Sequence, residues 1–93
     1  MARTFALLRL GRVEEAAEFA VRGGQQPNAH VHAHAITALT LATAGRIEEA
    51  CSEWRRILSL RPDYDFEQFK DAFHLLDDLT DIYRRAAKLV QIP

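Results

Sequence analysis

Residues 11–16 read GRVEEA and residues 45–50 read GRIEEA, so the two stretches differ only at Val13 and Ile47. Their glycines, Gly11 and Gly45, stand 34 residues apart. A near copy at such an interval points to one supersecondary unit written twice. A unit that small cannot bury its apolar face alone, so successive units must stack.

The segments around the two hexapeptides carry helical periodicity, and no stretch alternates with period two as a half-buried strand would. The pattern predicts six helices, at about 2–10, 12–22, 28–44, 46–60, 66–75 and 79–90. Gly11, Gly23-Gly24 and Gly45 end the first three. Asn28 is positioned to cap the third. Pro62 ends the fourth, because proline cannot continue a helix and it moves Arg61 away from helical angles. Asp65, with Gln68 three residues on, resembles a capping box for the fifth. Asp77 or Asp78 is expected to cap the sixth, with Arg84, Arg85 and Lys88 favouring its C-terminal half through the helix dipole.

Three helices show explicit apolar stripes. Ile47, Ala50, Cys51, Trp54, Ile57 and Leu58 share a face of the fourth. Phe66, Phe69, Phe73 and Leu76 share a face of the fifth. Leu79, Ile82, Tyr83, Ala86, Leu89 and Val90 share a face of the sixth. The charged residues of the runs RVEEAAE (12–18) and RIEEACSEWRR (46–56), Glu53 among them, fall off these stripes and are read as solvated.

The period and the paired helices resemble the tetratricopeptide (TPR) repeat family. In that pattern a glycine turns the chain after the first helix, and a small residue five positions later lets the second helix approach. Gly11 with Ala16, and Gly45 with Ala50, match. Trp54 matches the aromatic four residues after the alanine, and Pro62 matches the closing proline. Ala20 stands where the first copy's aromatic would be, and His34 replaces the tryptophan near the start of the second copy. Leu79 occupies the position of a third turn glycine, so the period breaks after Pro62. The resemblance implies an all-α fold, a right-handed α-α superhelix of TPR-like hairpins with about six helices. It divides the chain into a truncated first repeat (1–27), a second repeat (28–62) and a divergent C-terminal capping pair (63–93).

The tail, LRPDYDFEQFKDAF followed by DDLTDIYRRAAKLVQIP, resembles the C-terminal TPR region of bacterial adenylate/guanylate cyclase-like signalling proteins. In that region the chain closes in Gly-Leu-Pro, whereas here it ends Gln91-Ile92-Pro93. The resemblance implies a C-terminal part of a longer signalling protein whose effector is a cyclase or a winged-helix regulatory domain. The short first helix, apolar at Phe5, Leu7, Leu8 and Leu10, fits a piece of a longer array. Left uncovered, it is expected to find a second chain, and a two-fold homodimer is expected.

Composition narrows the functional classes. Net charge is −1, with 12 basic and 13 acidic residues, which gives no basic surface for nucleic acid or anionic lipid. One cysteine, Cys51, rules out an internal disulfide, and its place on the fourth helix's stripe reads as a packed small hydrophobe. No signal peptide is legible, and the least polar stretch, AITALTLATA at 35–44, is too short to span a bilayer. A cytoplasmic protein is expected.

Two polar or apolar clusters are candidate sites. His30 and His34 share a helix face at i, i+4, with His32 pointing elsewhere. A structural zinc takes four ligands and a catalytic one at least three, and residues 27–37 supply no cysteine or carboxylate. His34 is therefore expected to fill part of the core, with His30 and His32 solvated. The second candidate is an apolar face running over Phe5, Leu8, Leu39, Phe66, Phe69, Phe73 and Leu76. Either it is an open interaction surface, or the sixth helix folds over and buries it. No Ser-His-Asp set, phosphate loop or paired carboxylates stand out, so an enzyme is not expected and no cofactor is implied. The functional expectation is a non-catalytic scaffold for protein–protein or interdomain contacts. The alternative is a small-ligand or metal sensor using His30, His32 and His34.

Overall fold

The computed structural model describes residues 2–24, 31–73 and 77–92. Among these the chain is all-helical: α1 (Ala2–Arg9), α2 (Val13–Gly24), α3 (Val31–Thr43), α4 (Ile47–Leu60), α5 (Phe66–Phe73) and α6 (Asp77–Leu89). Asn28 and the expected ends of α3 and α5 in 25–30 and 74–76 lie outside the described residues. No described helix is long and apolar enough to cross a membrane.

The two hexapeptides build the same turn. Gly11 has φ 78° and Gly45 has φ 84°, the left-handed region that glycine enters without penalty. Gly11 N–H donates to the Leu8 carbonyl at 3.1 Å and Arg12 N–H to the Leu7 carbonyl at 2.9 Å. Gly45 N–H donates to Ala42 at 3.0 Å and Arg46 N–H to Leu41 at 2.9 Å. These paired bonds satisfy the carbonyls that a helix end would otherwise leave open. Each turn then adds a two-pronged ion pair, Arg12 to Glu15 and Arg46 to Glu49. The hydrogen bond from Arg46 holds the Glu49 carboxyl below its ordinary range. Ala16 and Ala50 follow, both completely buried, and α1 closes on α2 as α3 closes on α4.

The remaining boundaries show where local signals held and where packing overrode them. Arg61 is extended (φ −151°, ψ 86°) and its N–H bonds the Ile57 carbonyl, so α4 stops ahead of Pro62 as expected. Asp65 Oδ1 accepts the Gln68 N–H at 3.0 Å and caps α5. The Gln68 side chain does not complete the box; its amide donates to the Asp63 carbonyl at 2.8 Å. α2 continues through Gly23-Gly24 instead of ending at 22. Glycine lowers helix propensity by only about 1 kcal/mol, and docking of α3 on this end of α2 outweighs it. Thr37 Oγ1 donates to the Ala20 carbonyl there, at 3.0 Å. α6 starts at Asp77, so Asp77 and Asp78 lie in its first turn, where the dipole favours carboxylates.

α3 is the central helix. It packs on α2, α4, α5 and α6, and residues His34 to Ala42 are buried without interruption. This explains the threonines in AITALTLATA. Thr37 bonds the Ala20 and Ala33 carbonyls, and Thr40 meets the Tyr83 hydroxyl. Among the described residues no buried side-chain nitrogen or oxygen lacks a partner.

The expected stripes need one correction, on α6. On α4 the inward residues are Ala50, Trp54 and Ile57, flanked by half-buried Ile47, Cys51 and Leu58, close to expectation. On α6 the buried residues are Leu79, Thr80, Tyr83, Ala86 and Ala87, whereas Leu89, expected inside, is 60% exposed. α6 packs on three helices, α3, α1 and α5, so its buried face is turned toward Ala87 and leaves Leu89 at an edge.

α6 also ends on the turn seen at the two glycines. Gln91 has φ 61°, its N–H bonds Lys88, and Ile92 N–H bonds Ala87 at 2.9 Å. The residue after the left-handed position, Ile92, is buried against the core. Gln91 thus holds a glycine conformation without being glycine.

Candidate functional site

Of the two readings of the apolar face, open or covered, the described residues follow the second. Leu8, Leu39, Phe66 and Phe69 are all buried, and Phe5 is half-buried. Tyr83 of α6, wholly buried, is the reason. Its ring meets Phe69 edge-on at 5.5 Å and Phe5 at 6.2 Å, and its hydroxyl reaches Thr40. Burial raises the Tyr83 phenol pKa well above its ordinary value, the Thr40 bond opposing this in part. The sixth helix therefore covers the stripe. Phe73 is the last residue of α5, and Leu76 lies outside the described residues.

α6 is pinned to α1 at its other end. The Arg9 guanidinium grips Asp78 through two bonds of 2.9 Å, 69 residues apart in sequence. The bond from Arg9 holds the Asp78 carboxyl below its usual range. At the opposite face, Arg84 lies over the Phe66 ring at 5.2 Å, a cation–π contact.

The histidines do not converge. His34 is buried, as expected, but its Nδ1 meets Glu53 Oε1 at 2.6 Å, so Glu53 is a half-buried partner and not a solvated charge. His32 Nδ1 meets the Tyr64 hydroxyl at 2.8 Å, and Tyr64 packs edge-on against Trp54. Burial pushes the Tyr64 phenol up to about 12, with Arg61 opposing and Asp65 adding to the shift. The phenol keeps its proton, and which of the two atoms donates follows from the His32 tautomer. His30 lies outside the described residues. Among the described residues no three histidine, cysteine or acidic side chains are grouped to hold a metal. Cys51 is a half-buried free thiol.

Two surface concavities are lined by described residues. One, of about 270 Å³, is polar and runs along α3 and α4, with Glu49, Ser52, Glu53 and Arg56 on one wall. The other, of about 280 Å³, is an apolar cleft between α1, the two hairpin turns and α6. Leu8, Val13, Ile82, Ala86 and Leu89 line it, with Thr43 and Arg85 as its polar members. This cleft follows from the rotation of α6, which buries Ala87 and leaves the Ile82–Leu89 edge beside α1. The apolar stripe of α6 was legible in sequence; the gap beside it depends on which helices α6 meets.

No protein-family model, curated protein or solved structure matches the chain.

Proposed function

We propose that this chain is a non-catalytic scaffold of the tetratricopeptide-like kind, acting through contacts to another protein or to another domain of its own parent chain. The supporting observation is the duplicated turn. At a 34-residue interval it repeats the glycine conformation, the backbone bonds, the arginine–glutamate pair and the buried alanine. On this reading α1–α2 and α3–α4 are successive units of a right-handed superhelix, and α5–α6 is the terminal cap. α6 lies across the first helix of each hairpin, α1 and α3, which is where a cap would close the inner side of a short array. The side chains left for contacts are then the exposed Leu10, Leu60 and Leu89. A homodimer is one such contact, and light scattering reads it directly.

The resemblance of residues 60–73 and 77–93 to the tail of cyclase-like proteins supports a place at the C-terminal end of a bacterial cyclase-like or transcriptional signalling protein. The DNA upstream of Met1 tests this: an open frame leading into a cyclase or DNA-binding domain is expected, and an in-frame stop directly upstream overturns it. The scaffold part is tested by calorimetric titration of that domain, made separately, into the chain. Saturable binding is expected, and silence at high micromolar concentration counts against it. The metal-sensor alternative has less support, because His32 and His34 are each committed to a different side chain.

A further inference from the structure

We infer that the apolar cleft beside α6 is a docking site for a short segment of another protein, one that carries a bulky aliphatic side chain with a carboxylate within about one helical turn of it. The inference rests on the scaffold reading and names the surface and the chemistry it would use.

The cleft's shape sets the first half of that chemistry. Its walls are aliphatic, and its volume of about 280 Å³ suits one or two side chains better than a whole drug-sized ligand. Leu89, on its wall, remains 60% exposed although it sits on an otherwise well-packed helix. Burying such a side chain under a partner is favourable without any change in the fold.

Charge sets the second half. Three arginines at or beside the two hairpin turns already hold carboxylates: Arg9 with Asp78, Arg12 with Glu15 and Arg46 with Glu49. Arg85, on the cleft wall, has no carboxylate among the described residues. Its Nε reaches only the Asp81 carbonyl, at a long 3.4 Å. Lys88, one residue from Leu89, is also exposed and has no carboxylate partner among the described residues. A guanidinium at the edge of an apolar cleft is complementary to a carboxylate, which it can bind through two parallel bonds.

The same charges argue against a second copy as the occupant. A two-fold pair built on this cleft would bring the Arg85 and Lys88 pair of one chain toward the same pair of the other. Like charges brought together in this way oppose association.

The experiment selects random dodecapeptides displayed on phage against the intact chain, then measures purified winners by fluorescence anisotropy. Enriched peptides are expected to share Leu, Ile or Met with Asp or Glu within four positions. Their affinity is expected to fall at least tenfold for Arg85→Glu and for Leu89→Lys, both exposed positions whose variants should keep the wild-type circular dichroism. A peptide with its acidic residue changed to lysine should recover affinity for Arg85→Glu. Peptides that bind both variants as tightly as wild type would overturn the cleft while leaving the scaffold reading intact. No enrichment, or winners without acidic residues, also overturns it. So does self-association that Arg85→Glu strengthens, which would assign the cleft to a second copy.

Discussion

Thr40 and Tyr83 bring their hydroxyl oxygens to 2.9 Å across the α3–α6 contact, with both side chains fully buried. The bond fixes where the last helix sits on the central one. Removing one hydroxyl leaves the other without a partner, away from water, which costs about 1–3 kcal/mol. Tyr83→Phe and Thr40→Val should each lower stability by an amount in that range. The double variant should be less destabilised than the sum, since it removes both buried polar groups. Urea unfolding followed by circular dichroism of the four proteins checks this. Strict additivity would mean the two hydroxyls do not interact.

The three helix-ending turns give a second set of outcomes, opposite in sign. A Cβ built on Gly45 meets nothing within 4 Å, so Gly45→Ala suffers only from its positive φ. The left-handed conformation costs an ordinary residue about 1–2 kcal/mol, and both Gly45→Ala and Gly11→Ala should lose about that much. Gln91 already bears this strain. Gln91→Gly should relieve it, partly offset by the extra freedom glycine has when unfolded, for a net gain of about 1 kcal/mol or less. Urea midpoints measure all three. A loss of stability in Gln91→Gly would show that the glutamine side chain, not its backbone, matters at that turn.

How much of this was readable in the sequence depends on how local the cause is. The turns at Gly11 and Gly45 were legible because glycine conformation, helix ends and the following alanine lie within six residues. The stop at Pro62 was legible for the same reason. Glu53 was misread because a helix stripe shows which residues are apolar, not that a charged neighbour will find a buried histidine 19 positions away. Leu89 was misread because an apolar stripe does not say which two of its edges meet other helices. The absent closing glycine was visible, but not that Gln91 would take its conformation. The face through Leu8, Leu39, Phe66 and Phe69 was readable as apolar, while its occupant, Tyr83, is a long-range fact.

Both tyrosines of the chain are buried, which gives an alkaline titration with a defined sign. Burial raises the Tyr64 phenol from 10.0 to about 12 and moves Tyr83 in the same direction. The folded state then holds protons that the unfolded state gives up. This contribution to stability is complete below about pH 10 and is lost as pH rises toward about 12, at roughly 1.4 kcal/mol per pH unit for each tyrosine fully ionised only in the unfolded chain. Phenolate absorbance should therefore lag behind that of the chain in denaturant and rise together with the loss of helical signal. Tyr64→Phe should shallow the decline. Phenolate formation near the ordinary pKa with the helices intact would contradict the burial of both rings.

The last outcome concerns His34 and Glu53. Their side chains are 9% and 18% exposed, and the bond of 2.6 Å between them ties α3 to α4 beside the polar concavity that Glu53 lines. Glu53→Ala removes the partner of a buried imidazole nitrogen and should cost about 1–3 kcal/mol. Glu53→Gln keeps an oxygen in place and should cost less. Glu49→Ala, four residues away and solvent-exposed, should be much closer to neutral, since its pairing with Arg46 takes place in water. Thermal and urea unfolding rank the three variants. Zinc titrated into tag-free protein should give no saturable heat below millimolar concentration, because binding at His34 Nδ1 would first have to break this bond. A tighter zinc site abolished by His34→Ala would restore the sensor reading. An equal effect of Glu49→Ala and Glu53→Ala would show that the charge at position 53 is no more buried than its neighbour.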